Sequence, residues 1–226
     1  IFKNIKNDYI LITFLIVLNL INSIIIRLVT VKNGLSISPL LVDLSFLIII
    51  SLISLLFKRK ERIKYFITVS VILNIVCIIN SIYYHYYSSF ASISLLATAV
   101  FAADVSDAIV ENVLKPIDLI YIWQSIALYI FYRYLKKKNY FKYEIKQENK
   151  KIIKKGVLTS LFLFLIAAFF MPLNAWARLY KLWNRESVVM NYGIYVYQLD
   201  DFIQSLTPKI NSIFGHDKAL KKVTDY

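Results

Sequence analysis

Five apolar runs of about 20 residues, separated by clusters of lysine and arginine, constrain this chain more than any other feature of its sequence. An α-helix needs about 20 apolar residues to cross a hydrocarbon core of about 30 Å. The runs therefore predict an all-α integral membrane fold, a bundle of five transmembrane helices. The predicted spans are residues 9–27, 39–57, 65–84, 116–135 and 156–176. Residues 1–176 would form this transmembrane domain, and residues 177–226 an extracellular juxtamembrane segment and the start of a linker.

The net charge of +13 has two possible explanations. In a soluble protein, such an excess of positive charge would indicate binding to nucleic acid. Here 58% of the residues are hydrophobic. The basic side chains flank the apolar runs, where they contact anionic lipid and control topology. We therefore expect membrane lipids as partners and no nucleic acid.

Residues 90–103 form a sixth apolar run, which is short for a span. With five spans, the N-terminus and the basic loops 58–64 and 133–155 fall on one side, which then holds most of the 27 Lys and Arg residues. If residues 90–103 crossed the membrane, the loop 133–155 would move outside, against the positive-inside rule. The pattern predicts a cell-membrane protein with a cytoplasmic N-terminus, an extracellular C-terminus and an apolar outer loop in the interface.

The segment after the last span begins with aromatic residues and continues as an amphipathic stripe. Trp176, Tyr180 and Trp183 are typical of the belt where a helix leaves the bilayer. Apolar residues then recur every three or four positions from Val196 to Ile213, as on one face of a helix. We expect an extracellular amphipathic helix that lies on the membrane surface or packs against the outer loop.

The sequence contains no recognisable catalytic motif. Cys77 is the single cysteine, and His85 and His216 are far apart, without the spacing of metal ligands. We expect no catalytic residue, no metal and no cofactor in this segment.

Polar side chains cluster in the outer halves of the first three spans. Such groups are costly at membrane depth and usually face the protein interior. One interpretation is contact between helices, with Arg27 paired to Asp43. The other is a cradle for an anionic lipid headgroup, in which Arg27 and His85 face phosphate. The candidate residues for this headgroup site are Arg27, Asp43, Asn80 and His85.

A second group of charges lies in the outer loop and the tail. Three acids of the outer loop are spaced as one face of a short helix. They form either a solvated face or a surface on which basic residues of the tail dock. The residues concerned are Asp104, Asp107, Glu111, Arg178, Lys181 and Arg185.

Three stretches of the sequence resemble a known family. They are YYHYYSSF at 83–90, LKPIDLIYIWQ at 114–124 and NRESVVMNYGIYVYQLDD at 184–201. They look like the membrane domain of the lipoteichoic acid synthase family, whose members are phosphoglycerol transferases with a sulfatase-like extracellular domain. The order of spans, outer loop and aromatic tail is similar too, and the resemblance covers essentially the whole chain.

The resemblance implies that this segment supports an enzyme whose catalytic residues lie in another domain. In the family, a C-terminal extracellular domain uses a threonine and a divalent metal, manganese, to transfer glycerol phosphate from phosphatidylglycerol to a growing chain. The present segment would anchor that domain in a Gram-positive cell membrane and hold it near its lipid substrate. Two alternatives are a stand-alone transporter or channel subunit and a lipid-binding regulatory membrane module.

Overall fold

The computed structural model describes residues 2–31, 34–93, 115–138, 149–172, 174–175 and 184–224. The regular structure in these ranges is helical. Six α-helices and two short 3₁₀ segments follow one another along the chain. They are α1 (Phe2–Thr30), α2 (Ile37–Ile53) with a 3₁₀ turn (Ser54–Leu56), α3 (Arg59–Tyr87), a 3₁₀ segment (Pro116–Tyr121), α4 (Ile122–Lys137), α5 (Asn149–Phe170) and α6 (Arg185–Thr224).

Local chemistry explains two of the helix boundaries. At the end of α3, Ser88 adopts a left-handed conformation with φ 51°, and its amide donates to the carbonyl oxygen of Tyr84 at 2.8 Å, as in an αL cap. Before α4, Pro116 opens the 3₁₀ segment, where its missing N–H costs nothing. The Asp118 carboxylate accepts from the Lys115 amide at 3.0 Å and closes this first turn.

Four helices of the described part are long and apolar enough to cross a membrane. These candidate spans are Tyr9–Thr30, Ile37–Leu56, Glu61–Tyr87 and Lys151–Phe170, and they coincide with four of the five predicted runs. The predicted span 116–135 is divided, because its first six residues form the 3₁₀ segment and α4 adds 16 more. The chain is therefore an all-helical protein with four candidate membrane-spanning helices in its described part.

Small polar residues let α2 and α5 approach closely. The hydroxyl of Ser45 lies 2.9 Å from that of Ser160, and Ser38 donates to the Ala167 carbonyl at 3.4 Å. Such small residues are typical of packing between membrane helices, where side-chain bulk would keep the backbones apart. The contact brings Gly156 of α5 directly against Leu52 of α2.

The buried apolar residues form two clusters. The smaller cluster joins α1, α3 and the end of α4; its members are Leu11, Leu15, Ile63, Phe66 and Leu135. The larger cluster joins α1, α2, α3 and α5 and also takes in Phe90 of the outer loop. Six residues of α6 belong to it with at most 2% exposure; they are Val188, Val189, Tyr192, Ile194, Tyr195 and Tyr197. The segment after the last predicted span is therefore part of the core of the bundle.

Candidate functional site

Helix α6 is interrupted at Gly193, and the interruption creates the centre of the candidate site. Gly193 has φ 79° and ψ 170°, a conformation that is essentially restricted to glycine. A β-carbon here would overlap the carboxylate of Asp43. Both the backbone conformation and the space therefore require glycine.

The interruption gives the second half of α6 a new N-terminus inside the bundle. The first amide groups of a helix lack partners within the helix, and an acidic side chain stabilises them. Asp43 of α2 supplies this acid from a neighbouring helix, since its Oδ1 atom accepts from the Tyr195 amide at 3.4 Å. Asp43 itself is completely buried.

A serine connects Asp43 to the buried Arg27. Ser23 donates its hydroxyl hydrogen to Asp43, and Arg27 Nη2 donates to the same hydroxyl at 3.2 Å. Arg27 Nε also donates to the Ser23 carbonyl at 2.9 Å. The expected pairing of Arg27 with Asp43 thus takes the form of a chain through Ser23. Arg27 is 1% exposed, and its Nη1 atom has no hydrogen-bond partner among the described residues.

Tyr195 connects α6 to two further helices, α1 and α3. Its hydroxyl donates to the Asn19 carbonyl of α1 at 2.7 Å and lies 3.7 Å from the sulfur of Cys77 in α3. Two residues on, Tyr197 donates to the Ala91 carbonyl at 2.9 Å. Burial raises the pKa of the Tyr197 hydroxyl, so this group remains a protonated donor over a wider alkaline range than an exposed tyrosine.

A second buried network attaches α4. Gln124 donates to the side-chain oxygen of Asn19 at 3.1 Å and to the Ser70 carbonyl at 2.9 Å, and it accepts from Asn22. The indole of Trp123 donates to the Asn22 oxygen at 2.8 Å. Because these amide groups are buried and mutually satisfied, α4 is hydrogen-bonded to α1 and α3 well inside the bundle.

Asn80 joins α3 to both α6 and the outer loop. Its amide nitrogen donates to the side-chain oxygen of Gln198 at 2.9 Å, and its oxygen accepts from the Ala91 amide at 3.0 Å. On the other side of the loop, the Asp201 carboxylate accepts from the Ser92 hydroxyl at 2.7 Å and from the Ile93 amide at 2.6 Å. Residues 91–93 are therefore held between α3 and α6.

His85 belongs to a third polar cluster, which lies at the 3₁₀ segment that precedes α4. Its Nδ1 atom lies 3.4 Å from the Asp118 carboxylate, which also accepts from the Ser81 hydroxyl at 2.7 Å. The hydrogen bonds thus join Arg27 with Asp43, while Asn80 bonds to Gln198 and Ala91. His85 lies beside Asp118, and its Nδ1 atom has no hydrogen-bond partner among the described residues. Binding of a lipid headgroup by these four residues stays a prediction.

Most of the proposed docking surface lies outside the described residues. This applies to Asp104, Asp107, Glu111, Arg178 and Lys181. Arg185 is described: it opens α6, and its Nη1 atom donates to the Phe90 carbonyl of the outer loop at 3.4 Å. Within the described ranges, no group of three or more His, Cys, Asp or Glu side chains is arranged to hold a metal.

Sequence reasoning missed three residues that organise the site. Gln124 lies in a predicted span and in the stretch 114–124 that carries the family resemblance. Gly193 and Tyr195 lie just before the predicted amphipathic stripe, in the stretch 184–201 that carries the same resemblance. The sequence assigned none of the three to the site. A glycine among tyrosines within a helical pattern is a signal of close backbone approach, and it would have indicated Gly193.

Comparison with known proteins gives one match. The family model described as the lipoteichoic acid synthase N-terminal domain matches residues 1–213. No curated protein and no solved structure matches the chain. Because the family model covers nearly the whole sequence, this chain belongs to the lipoteichoic acid synthase N-terminal domain family.

Proposed function

We propose that this chain is the membrane domain of a lipoteichoic acid synthase-like enzyme, and that it anchors an extracellular glycerol phosphate transferase near phosphatidylglycerol in the outer leaflet. The observation that carries the proposal is the attachment of α6. Asp43 caps the helix after Gly193, and Tyr195 reaches α1 and α3. A domain that follows α6 would therefore start from a helix held at a defined position on the bundle.

Such an attachment has a direct physical benefit for a transferase with a lipid substrate. A tether confines the catalytic domain to a small volume next to the membrane, which raises its effective concentration there. Three contacts to the outer loop, through Arg185, Tyr197 and Asp201, would restrict its height and orientation as well. The divalent metal expected for the family is assigned to the transferase domain and to none of the residues described here.

The proposed topology has five spans, the fourth formed by the 3₁₀ segment and α4 together. At about 2.0 Å per residue for 3₁₀ and 1.5 Å for α structure, these two elements reach about 36 Å, which exceeds the ~30 Å of a hydrocarbon core. Five spans with a cytoplasmic N-terminus place α6 on the extracellular side. The buried network around Gln124 supports this arrangement, because it pairs the amides of α4 inside the bundle.

The test uses the protein encoded by the full reading frame, reconstituted in vesicles with phosphatidylglycerol labelled in its headgroup. We expect labelled glycerol phosphate polymer from the wild type and much less from Gly193→Val, which should release α6. Hydrolysis of a soluble glycerophosphate ester by the same variant should be unchanged, since the transferase domain itself is intact. Gly156→Ala in α5 is the matched control. A reading frame without a transferase domain, or full polymer synthesis by Gly193→Val, would contradict the proposal.

A role for Arg27 in binding a lipid headgroup is the second part of the proposal. The Nη1 atom without a hydrogen-bond partner among the described residues supports it, because a buried guanidinium gains from an anion there. Arg27→Ala should then weaken binding of phosphatidylglycerol to the purified domain more than Ser23→Ala does. Unchanged lipid binding together with a lower melting temperature would show that Arg27 serves only the packing of the helices.

A further inference from the structure

A groove of about 300 Å³ opens on the side of the bundle between α2, α3 and the second half of α6. Its walls are almost entirely apolar. Residues from all three helices line it, including Phe46, Ile72, Leu73, Val76, Leu199 and Phe202.

Two polar side-chain oxygens near the groove are engaged elsewhere. The Tyr195 hydroxyl donates to the Asn19 carbonyl, and the side-chain oxygen of Gln198 accepts from Asn80. A water molecule needs two to four polar partners to occupy a buried or half-buried site. The groove therefore offers a water molecule few hydrogen-bond partners.

In the proposed membrane topology, the groove faces the bilayer. Both α2 and α3 are candidate spans, and apolar side chains beside the groove are exposed on the outside of the bundle. Ile49 and Ile75 are 46% and 47% exposed. An empty groove would lose dispersion contacts along its whole lining. At this position in a bilayer, the material available to fill it is hydrocarbon.

We propose that this groove binds one acyl chain of a diacyl lipid from the surrounding bilayer. Its volume corresponds to roughly ten water-sized groups, which suits a segment of one chain and not a whole lipid. Since the lining contacts hydrocarbon, the site selects for the chain and is indifferent to the headgroup. The site exists independently of any transferase activity.

The test places the purified protein in phosphatidylcholine vesicles that contain a small fraction of lipid with a photoreactive diazirine in one acyl chain. After illumination, peptide mass spectrometry measures adducts at Leu199 and Phe202. Phe162 of α5, which is 62% exposed, reports contact with bulk lipid. We expect a higher yield of adducts in the groove than at Phe162.

Two variants fill the groove from opposite walls. Val76→Trp extends from α3 and Leu199→Trp from α6. Each should lower the yield of adducts at Phe202 by roughly tenfold, equivalent to about 1.4 kcal/mol of binding free energy. Ile75→Trp and Ile203→Trp add the same bulk at neighbouring exposed positions outside the groove and should leave the yield unchanged. Thermal unfolding in the same vesicles shows which variants are folded.

Three results would overturn the proposal. The first is a yield in the wild-type groove no higher than at Phe162, whatever the variants do. The second is an unchanged yield in a folded groove-filling variant. The third is a strong preference for photoreactive phosphatidylglycerol over phosphatidylcholine with the same chains, which would show that a headgroup contact and not the groove retains the lipid. The first result includes the case in which peptides containing Leu199 and Phe202 carry no lipid adduct while Phe162 is labelled. That outcome would indicate that another segment of the chain fills the groove.

Discussion

Gly193 shows how much of this architecture depends on a single residue. A side chain there meets a positive φ angle and the Asp43 carboxylate at once. Gly193→Ala should therefore lower the free energy of unfolding by at least about 1–3 kcal/mol from the backbone alone, measured as thermal unfolding in lipid vesicles.

Gly156→Ala provides the comparison. Its new β-carbon would lie 2.7 Å from Leu52 Cδ1, the end of a flexible side chain that can move away, so the loss should be small. The double variant Asp43→Ala, Gly193→Ala should lose less than the sum of the two single variants, because the overlap is gone. Strict additivity would show that the overlap with Asp43 is not the cause.

Tyr195 gives a prediction about one hydroxyl group. Tyr195→Phe keeps the ring but removes the donor to the Asn19 carbonyl, which should cost about 0.5–1.5 kcal/mol of stability. Tyr129→Phe removes a hydroxyl from a side chain that is 63% exposed and should change stability very little. Equal melting temperatures for the two variants would contradict the assigned hydrogen bond.

The sequence predicted which polar residues face the protein interior better than it predicted their hydrogen-bond partners. Arg27 and Asp43 were singled out from their depth, but Ser23 between them could not be assigned, since the rotation of each helix decides which atoms meet. The conformation of Gly193 was beyond prediction for a similar reason. It follows from the position of Asp43, which is 150 residues earlier in the chain and reaches α6 only in the folded bundle.

Among the helices, the length of the apolar runs predicted five spans, and the structure contains candidate spans at four of these positions. The fourth predicted run was harder to interpret. This run is less apolar than the others because it contains Pro116, Asp118 and Gln124, and its first six residues form the 3₁₀ segment. Its place in the bundle depends on side-chain amides that pair with α1 and α3, and hydrophobicity alone does not reveal such pairing.

Gln124→Leu tests how α4 is held. The change removes two donated hydrogen bonds and leaves Asn19 and Asn22 without that partner. Amide hydrogen exchange in α4 should become faster, while α2 and α5 should keep their protection, because the hydrogen bonds of Gln124 go to α1 and α3. Ser45→Ala is the reciprocal control, since Ser45 hydrogen-bonds to Ser160 of α5, and it should affect α5 instead. Uniformly faster exchange in both variants would mean that the two networks are not independent.

For the whole molecule, the proposed function depends on the membrane topology, which can be measured with single cysteines. Cys77 is completely buried, so the wild type should give little background with a membrane-impermeant thiol reagent. Leu35→Cys, at a position 67% exposed beside the start of α2, should be labelled from outside intact cells. Lys146→Cys should be labelled only after the cells are opened. Labelling of position 146 in intact cells would exclude the five-span arrangement.

The insertion of α6 also dictates an order of events during synthesis. The carboxylate of α2 and the amide it caps are separated by 152 positions along the chain. At a synthesis rate of about 5–20 residues per second, roughly 8–30 s pass between the synthesis of Asp43 and that of Tyr195. During that interval Asp43 lacks the capping contact that it makes in the complete bundle. The core of the bundle is complete only when the ribosome has delivered the segment around Gly193, because side chains of that segment form part of it.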